Sequence, residues 1–140
     1  MNAAVESLVA VVTTDLAAVT RGRSVVESRL DKIAATGVGW LQANLSLTPF
    51  NSIVDPNPWG SSGDLRLLGD DRARYRVQLP GAATATHMMM ADIVNLDGAP
   101  WALCPRSLLR SALADLTAAT GLTLKVSFEH EFTLLDTGLP

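Results

Sequence analysis

The chain has 140 residues, 48% of them apolar, and a formal net charge of −3 from 11 Lys and Arg against 14 Asp and Glu. This length and apolar share predict one folded domain, with room for a fragment of a second. The mildly acidic balance argues against a nucleic-acid partner, which needs clustered Lys and Arg. No apolar run is long enough to span a membrane, and the start of the chain lacks the basic residues of a secretory signal. The single cysteine excludes an internal disulfide, so we expect a cytoplasmic protein.

The first third of the chain predicts strands followed by a helix. Leu8 to Thr14 is short and rich in β-branched residues, which favours a strand. Thr20 to Arg23 is typical of a turn, and a brief strand can follow through Ser24 to Val26. Ser24 lies three residues before Glu27, which is the spacing of a capping box. Apolar residues then recur at helical intervals, which predicts a helix that ends at Gly37.

The middle of the chain predicts a further strand and a long loop. Val38 to Leu47 favours a strand with a large apolar side chain at Trp40. Thr48 to Gly63 holds prolines, asparagines and glycines, so we expect a loop. Loops of this length inside a compact domain are more often functional than idle. The alternative is a surface excursion without a task.

The region after the loop predicts several short strands joined by turns. The predicted strands are Asp64 to Leu68, Tyr75 to Leu79 and Thr86 to Leu96, with a tight connection at Gly69 to Asp71 and a short return through Trp101 to Leu103.

The last part of the chain predicts a helix and a strand. The helix begins at Pro105, where proline suits the first helical position, and ends at Gly121. A final strand is expected from Leu122 to Leu135. The whole pattern favours an α+β fold, a mixed sheet crossed by a single helix.

Two glutamates in the predicted last strand form the candidate site. Glu129 and Glu131 would lie on one face of that strand, about 7 Å apart. A divalent cation relieves the repulsion between such carboxylates, and their hard oxygens suit magnesium or manganese. The alternative is a solvated strand face that also carries Lys125. Alternation predicts a buried, neutral His130 on the opposite face, and Cys104 is expected to be a buried thiol rather than a nucleophile.

Several segments resemble the glutamine synthetase family. Ser127 to Phe132 resembles the Glu-x-Glu-Phe strand that opens its catalytic domain. Gly63 to Leu67, followed by Asp70 or Asp71, is similar to the Asp-Leu/Met-x-Leu-x-Pro-Asp stretch of its N-terminal domain. Three further segments follow in the family's order: Ala91 to Ile93, Asp97-Gly98 and Cys104 to Ser107. The whole resemblance covers about Leu8 to Asp136.

The resemblance implies two parts. Residues 1–103 would form a β-grasp-like N-terminal domain, and residues 104–140 would begin an incomplete catalytic domain. Glu129 would bind the metal that holds the ATP phosphates, and Glu131 the metal beside the glutamate substrate; the metals would be Mg²⁺ or Mn²⁺. The implied reaction joins ammonia or an amine to the γ-carboxylate of glutamate through γ-glutamyl phosphate. The implied partners are neighbouring subunits of a homo-oligomeric ring, in which each active site lies between one subunit's N-terminal domain and the next subunit's catalytic domain.

Two departures from the family modify these expectations. Ammonia-using members carry Phe-Asp-Gly-Ser-Ser, whose aspartate helps to hold ammonium, whereas here Gly60-Ser61-Ser62 lacks the Phe-Asp. Asp55, in the long loop, is the nearest alternative to that aspartate. The loop looks closer to that of relatives that use larger amines. The chain also lacks most of the catalytic domain, so we expect no ligase activity from these 140 residues alone. The alternative is a free-standing β-grasp module that binds and regulates a full-length ring. A piece of a larger fold should leave the Leu109 helix face and the Phe128 segment uncovered.

Overall fold

Five strands and two helices make up the described part of the chain. The computed structural model describes residues 6–60 and 62–134. In chain order the elements are β1 (Leu8–Thr14), β2 (Thr20–Val26), α1 (Leu30–Thr36), β3 (Val38–Trp40), β4 (Leu65–Val77), β5 (Thr86–Val94) and α2 (Pro105–Thr120), with 3₁₀ turns at Glu27–Arg29 and Gln42–Ser46. Within the described residues, no helix is long and apolar enough to cross a membrane.

The strands form one mixed sheet in the order β2-β1-β5-β4-β3. Strand β1 runs parallel to β5, and the other neighbours pair antiparallel. Helix α1 crosses one face of the sheet, where Leu30 packs with Val9 and Met89. A second apolar cluster lies between the sheet and the chain that covers it: Val11, Trp40, Leu45, Leu65, Leu67, Ala91, Ile93 and Cys104. The prediction of an α+β fold with a β-grasp-like mixed sheet and one crossing helix is confirmed.

The predicted turn at residues 20–23 is wrong, because these residues belong to strand β2. Strand β2 lies at the edge of the sheet and pairs along its full length with β1. Most of its side chains are exposed or half-buried, which explains why the segment lacks the apolar pattern of an inner strand. The capping box is also wrong. The 3₁₀ turn that follows β2 begins after Val26 without a side-chain cap.

The two strands predicted between residues 64 and 79 form one long strand, β4 (Leu65–Val77). Strand β4 pairs with β5 on both sides of an irregularity between Gly69 and Arg74, so the predicted turn at residues 69–71 is a β-bulge. A Cβ on Gly69 would overlap the sulfur of Met89, so a larger residue there would require the Met89 side chain to move. The strand predicted from Val38 shortens to three residues because a 3₁₀ turn follows it.

The end of the described chain agrees with the predicted helix and disagrees with the predicted strand. Helix α2 begins at Pro105, and Gly121 follows its last residue with a φ of 71°. Residues 122–134 form no strand, because no described strand pairs with them, and Leu135 lies outside the described residues. The expectation of uncovered apolar surface is confirmed. Leu109 is 58% exposed and Phe128 is 80% exposed.

Candidate functional site

The two predicted metal ligands lie in the segment that follows α2. Glu129 and Glu131 are both exposed, in a stretch that forms neither helix nor strand. In residues 6–60 and 62–134, no three His, Cys, Asp or Glu side chains lie close enough together to hold a metal ion. The structure therefore brings no further ligand to the pair, and its metal-binding role stays a prediction.

The other two candidate residues have opposite outcomes. His130 is exposed, so the prediction of a buried histidine is wrong; the strand that would bury it does not form. Cys104 is fully buried in the core, as predicted. Its sulfur lies 3.2 Å from the backbone nitrogen of Ile93, which donates a hydrogen bond to it. A thiol enclosed in this way has no access to a substrate.

The 48–63 loop is joined to the sheet by one arginine. The guanidinium of Arg21, on β2, donates to the carboxylate of Asp15 and to the side-chain oxygen of Asn51. A third bond runs from its Nη2 to the backbone oxygen of Thr48, at 2.9 Å. The β1–β2 connection and the start of the loop therefore share one charged side chain. Asp55, farther along the loop, is exposed.

Burial and hydrogen bonds act in opposite directions on Asp15. Its side chain is 2% exposed and that of Arg21 is 12% exposed. Burial disfavours the carboxylate, but the hydrogen bonds from Arg21 and from the backbone N–H groups of Val19 and Ala17 outweigh it. The pKa of Asp15 therefore lies below its ordinary value. The pair is ionised at neutral pH, and each charge depends on the other.

Local hydrogen bonds hold the loop in one conformation beyond its attachment to Arg21. The hydroxyls of Thr48 and Ser52 lie 2.7 Å apart, and the backbone oxygen of Ser52 accepts a hydrogen bond from the Thr48 N–H at 2.8 Å. Asn57 accepts hydrogen bonds through Oδ1 from the Ser46 hydroxyl and from the Trp59 N–H, both at 3.1 Å. These bonds replace the sheet ladder that the loop lacks.

The loop buries one aromatic side chain and exposes another. Trp59 packs against the core and meets Trp101 edge-on, with ring centroids 6.0 Å apart. Phe50, near the loop tip, is 91% exposed, and Ile53 and Val54 are about half exposed. An ordered loop with a fixed base and an apolar tip is suited to contact another surface.

Helix α2 is attached to the sheet by charged groups rather than by a buried apolar face. All of its side chains are half-buried or exposed. Arg106 lies 3.0 Å from Asp70 and 3.5 Å from Asp92, and Arg110 lies 2.8 Å from Asp92. The hydrogen bond from Arg106, together with the backbone N–H of Arg72, holds the pKa of Asp70 below its ordinary value.

A family model described as the glutamine synthetase N-terminal domain matches residues 2–101. This chain belongs to the glutamine synthetase family. The matched region contains all five strands of the sheet, helix α1 and the 48–63 loop. The predicted boundary after Leu103 stays a prediction.

Other members of the glutamine synthetase family are similar to this chain over most of its length. Gamma-glutamylpolyamine synthetase GlnA3 of Streptomyces coelicolor is 33% identical over 120 residues, which cover 84% of this chain and 25% of that protein. A crystal structure titled novel glutamine synthase homolog is 48% identical with a TM-score of 0.78, and the match covers 85% of this chain and 29% of that one. The glutamine synthetase of Plasmodium falciparum shares the fold alone, at 16% identity and a TM-score of 0.60, over 81% of this chain and 20% of that one. The chain thus spans about a quarter of the length of these relatives.

The contact between Arg21 and the loop has no direct signal in the sequence. Nothing local connects Asp15 and Arg21 with Thr48 or Asn51, about thirty positions away. The available signal is that Thr48 and Asn51 lie at the start of a proline-rich loop. Threonine and asparagine side chains often form hydrogen bonds to nearby backbone, so these two residues are candidates for holding the loop.

Proposed function

We propose that this chain forms the N-terminal part of a glutamine synthetase-type ligase, which uses ATP to join ammonia or an amine to the γ-carboxylate of glutamate through γ-glutamyl phosphate. The observation that carries the proposal is the family match over residues 2–101. The 33% identity with a gamma-glutamylpolyamine synthetase favours an amine as the nitrogen donor. The ligase would act in the cytoplasm. The 140 residues alone would be inactive, because phosphoryl transfer needs charge-stabilising groups from many positions.

Glu129 and Glu131 fit a hard divalent cation by their chemistry. Carboxylate oxygens are the donors that Mg²⁺ and Mn²⁺ prefer, so the two residues would each contribute to one of two metal sites. Bound there, the metals would neutralise charge on the phosphates of ATP and on the transferred group. Two exposed carboxylates supply a small part of an octahedral shell. The remaining ligands and the ATP site would come from outside the described residues.

The 48–63 loop would supply the contribution of the N-terminal domain. Its apolar tip, at Phe50, is exposed, whereas its base is held by Arg21 and by the packing of Trp59. In a ring of identical subunits this tip would contact the catalytic domain of the neighbouring subunit. The loop lacks the Phe-Asp pair of ammonia-using relatives, which also favours a larger amine.

The test uses the polypeptide that the source cells make. The gene is tagged at its own locus, and the purified product is assayed for phosphate release from ATP with glutamate plus either ammonia or a polyamine. We expect glutamate-dependent release that a polyamine stimulates more than ammonia does. The substitution Glu131→Gln should abolish the phosphate release. Lys125→Gln, six residues earlier in the same segment, should retain it. A product without glutamate-dependent phosphate release would refute the ligase proposal.

The mass of the native product distinguishes the proposal from the regulatory alternative. A ligase subunit would be several times heavier than the 14.8 kDa of this chain. A native product of 14.8 kDa that co-purifies with a separate full-length ring would contradict the proposal and support a β-grasp module that regulates that ring.

A further inference from the structure

A cleft lies between the β4–β5 hairpin and the chain that enters β1. It has a volume of about 450 Å³, which is within the range of small-molecule sites. Its polar lining includes Ser7, Arg76, Thr84 and His87, and we refer to it as the hairpin cleft. A smaller cleft of about 160 Å³ shares Arg76 and His87 with it. The family resemblance assigns no role to this end of the sheet.

His87 is a buried polar side chain that lacks a hydrogen bond. The residue is 9% exposed, and its Nε2 has no hydrogen-bond partner among the described residues. Its Nδ1 lies 3.6 Å from the carboxylate of Glu27. Buried ring nitrogens are nearly always bonded, so an enclosed nitrogen beside a cleft calls for a partner from outside the chain. When the imidazole is protonated, both nitrogens donate, and Nε2 remains for a ligand oxygen.

Arg76 lies directly across from His87 in the antiparallel register of β4 and β5. Residues opposite each other in such a pair share one face of the sheet, so both side chains border the cleft from the same side. The side chain of Arg76 makes no ion pair or hydrogen bond within the described residues, although its backbone pairs with β5. Arg74, two residues earlier, lies 3.8 Å from Glu27 and 4.0 Å from Asp71. Among the described residues, the guanidinium of Arg76 is therefore the cleft-lining cation that no carboxylate contacts directly.

One carboxylate also lines the cleft. Glu6 contributes to its wall and accepts a hydrogen bond from the hydroxyl of Ser28. Hydrogen-bond donors at the cleft outnumber this one carboxylate. They are the side chains of Arg76 and His87 and the hydroxyls of Ser7 and Thr84. A guanidinium beside an imidazole and hydroxyls is the donor set that binds the oxygens of a carboxylate or a phosphate.

We propose that the hairpin cleft binds a small molecule through an anionic group, a carboxylate or a phosphate, held by Arg76 and His87. This site is separate from Glu129 and Glu131 and does not depend on the ligase function. Glu27, Arg74 and Arg76 lie beside His87, and Glu6 lines the same cleft.

Calorimetric titration of the 140-residue protein with two probes tests the site. Inorganic phosphate represents the phosphate group, and glutarate represents the carboxylate group without an amine. We expect one of them to bind with a dissociation constant below about 10 mM. The probe that binds identifies which group the site prefers.

Two arginine substitutions on the same strand separate this site from general charge effects. Arg76→Gln should weaken binding at least about tenfold, because it removes the guanidinium that would bind the anionic group. Arg72→Gln is the matched control, since its side chain is 89% exposed and lies 3.4 Å from Asp70, away from the cleft; it should change the affinity less than about twofold. His87→Leu should also weaken binding, because it removes the ring donor. Absence of binding by both probes, or equal effects of the two arginine substitutions, would overturn the proposal.

Discussion

The substitution Arg21→Met tests whether one guanidinium holds the 48–63 loop against the sheet. Methionine keeps much of the aliphatic length of arginine but removes its charge and all of its donors. It therefore breaks the ion pair with Asp15 and the bonds to Asn51 and to the backbone oxygen of Thr48. Asp15 keeps two backbone N–H donors but remains 2% exposed, as a charge without its partner.

The expected loss of stability follows from this burial. Removing one partner of a buried ion pair costs about 3–5 kcal/mol, because the other charge stays out of water. We expect a decrease of about 4 kcal/mol in the free energy of unfolding, out of a total of about 5–15 kcal/mol for an ordinary domain. For a chain of this size the midpoint of thermal unfolding should then fall by about 10 °C or more.

Urea denaturation followed by tryptophan fluorescence measures the effect, because Trp59 reports on the loop and Trp40 on the core. Arg23→Met is the control, since Arg23 lies two residues farther along β2 and is exposed; its effect should stay within about 0.5 kcal/mol. A double-mutant cycle of Arg21→Met with Asp15→Asn should give a coupling of about 2 kcal/mol. If Arg21→Met cost less than about 1 kcal/mol, or no more than Arg23→Met, the loop would be held by something else.

Two further predictions concern acid stability and strand packing. The pKa values of Asp15 and Asp70 are lowered on folding, so both carboxyls stabilise the fold above their unfolded pKa of about 3.9, and this stability is lost as the pH falls through their folded pKa values. Urea unfolding should show a steep decline below about pH 4, and the decline should be shallower in Arg21→Met. Gly22→Ala should lower the free energy of unfolding by about 3 kcal/mol. The new Cβ would lie 2.8 Å from the Cα of Val12 and closer still to the carbonyl oxygen of Val11.

Each of these two predictions has its own contradicting result. Equal acid sensitivity in Arg21→Met and the unsubstituted chain would show that Asp15 does not contribute to the pH dependence. For Gly22, the control is Ser24→Ala on the same strand, which should change stability by less than about 0.5 kcal/mol. A Gly22→Ala variant as stable as Ser24→Ala would mean that β1 and β2 can separate without loss.

The elements that sequence predicted well are those with a strong local pattern. Strand β1 has a run of β-branched residues, and helix α2 has proline at its start and glycine after its end; both bounds were predicted within a residue. The errors concern pairing between distant segments. Residues 69–71 have the composition of a turn, and they form a bulge because β5 continues to pair beyond them. Residues 20–23 are polar because they lie on an edge strand, which no local rule distinguishes from a turn.

The candidate site was harder to predict for the same reason. Arg21 acts on Asp15, six residues away, and on Asn51, thirty residues away. Sequence periodicity reports the face on which a side chain lies but not which distant loop covers that face. Arg106 and Arg110 fit an amphipathic surface helix, and their pairing with Asp92 becomes evident once the helix is placed against β5.

The glutamate pair shows what a strand pattern needs before it can become a site. Alternation places Glu129 and Glu131 on one face about 7 Å apart, provided that the segment is a paired strand. The described segment has no pairing partner, so nothing fixes the distance or direction of these two carboxylates. A metal site requires fixed ligands, because each carboxylate ordered on binding costs conformational entropy. Phe128 and Phe132 are both at least 80% exposed, and a strand that paired with this segment would also organise the two glutamates.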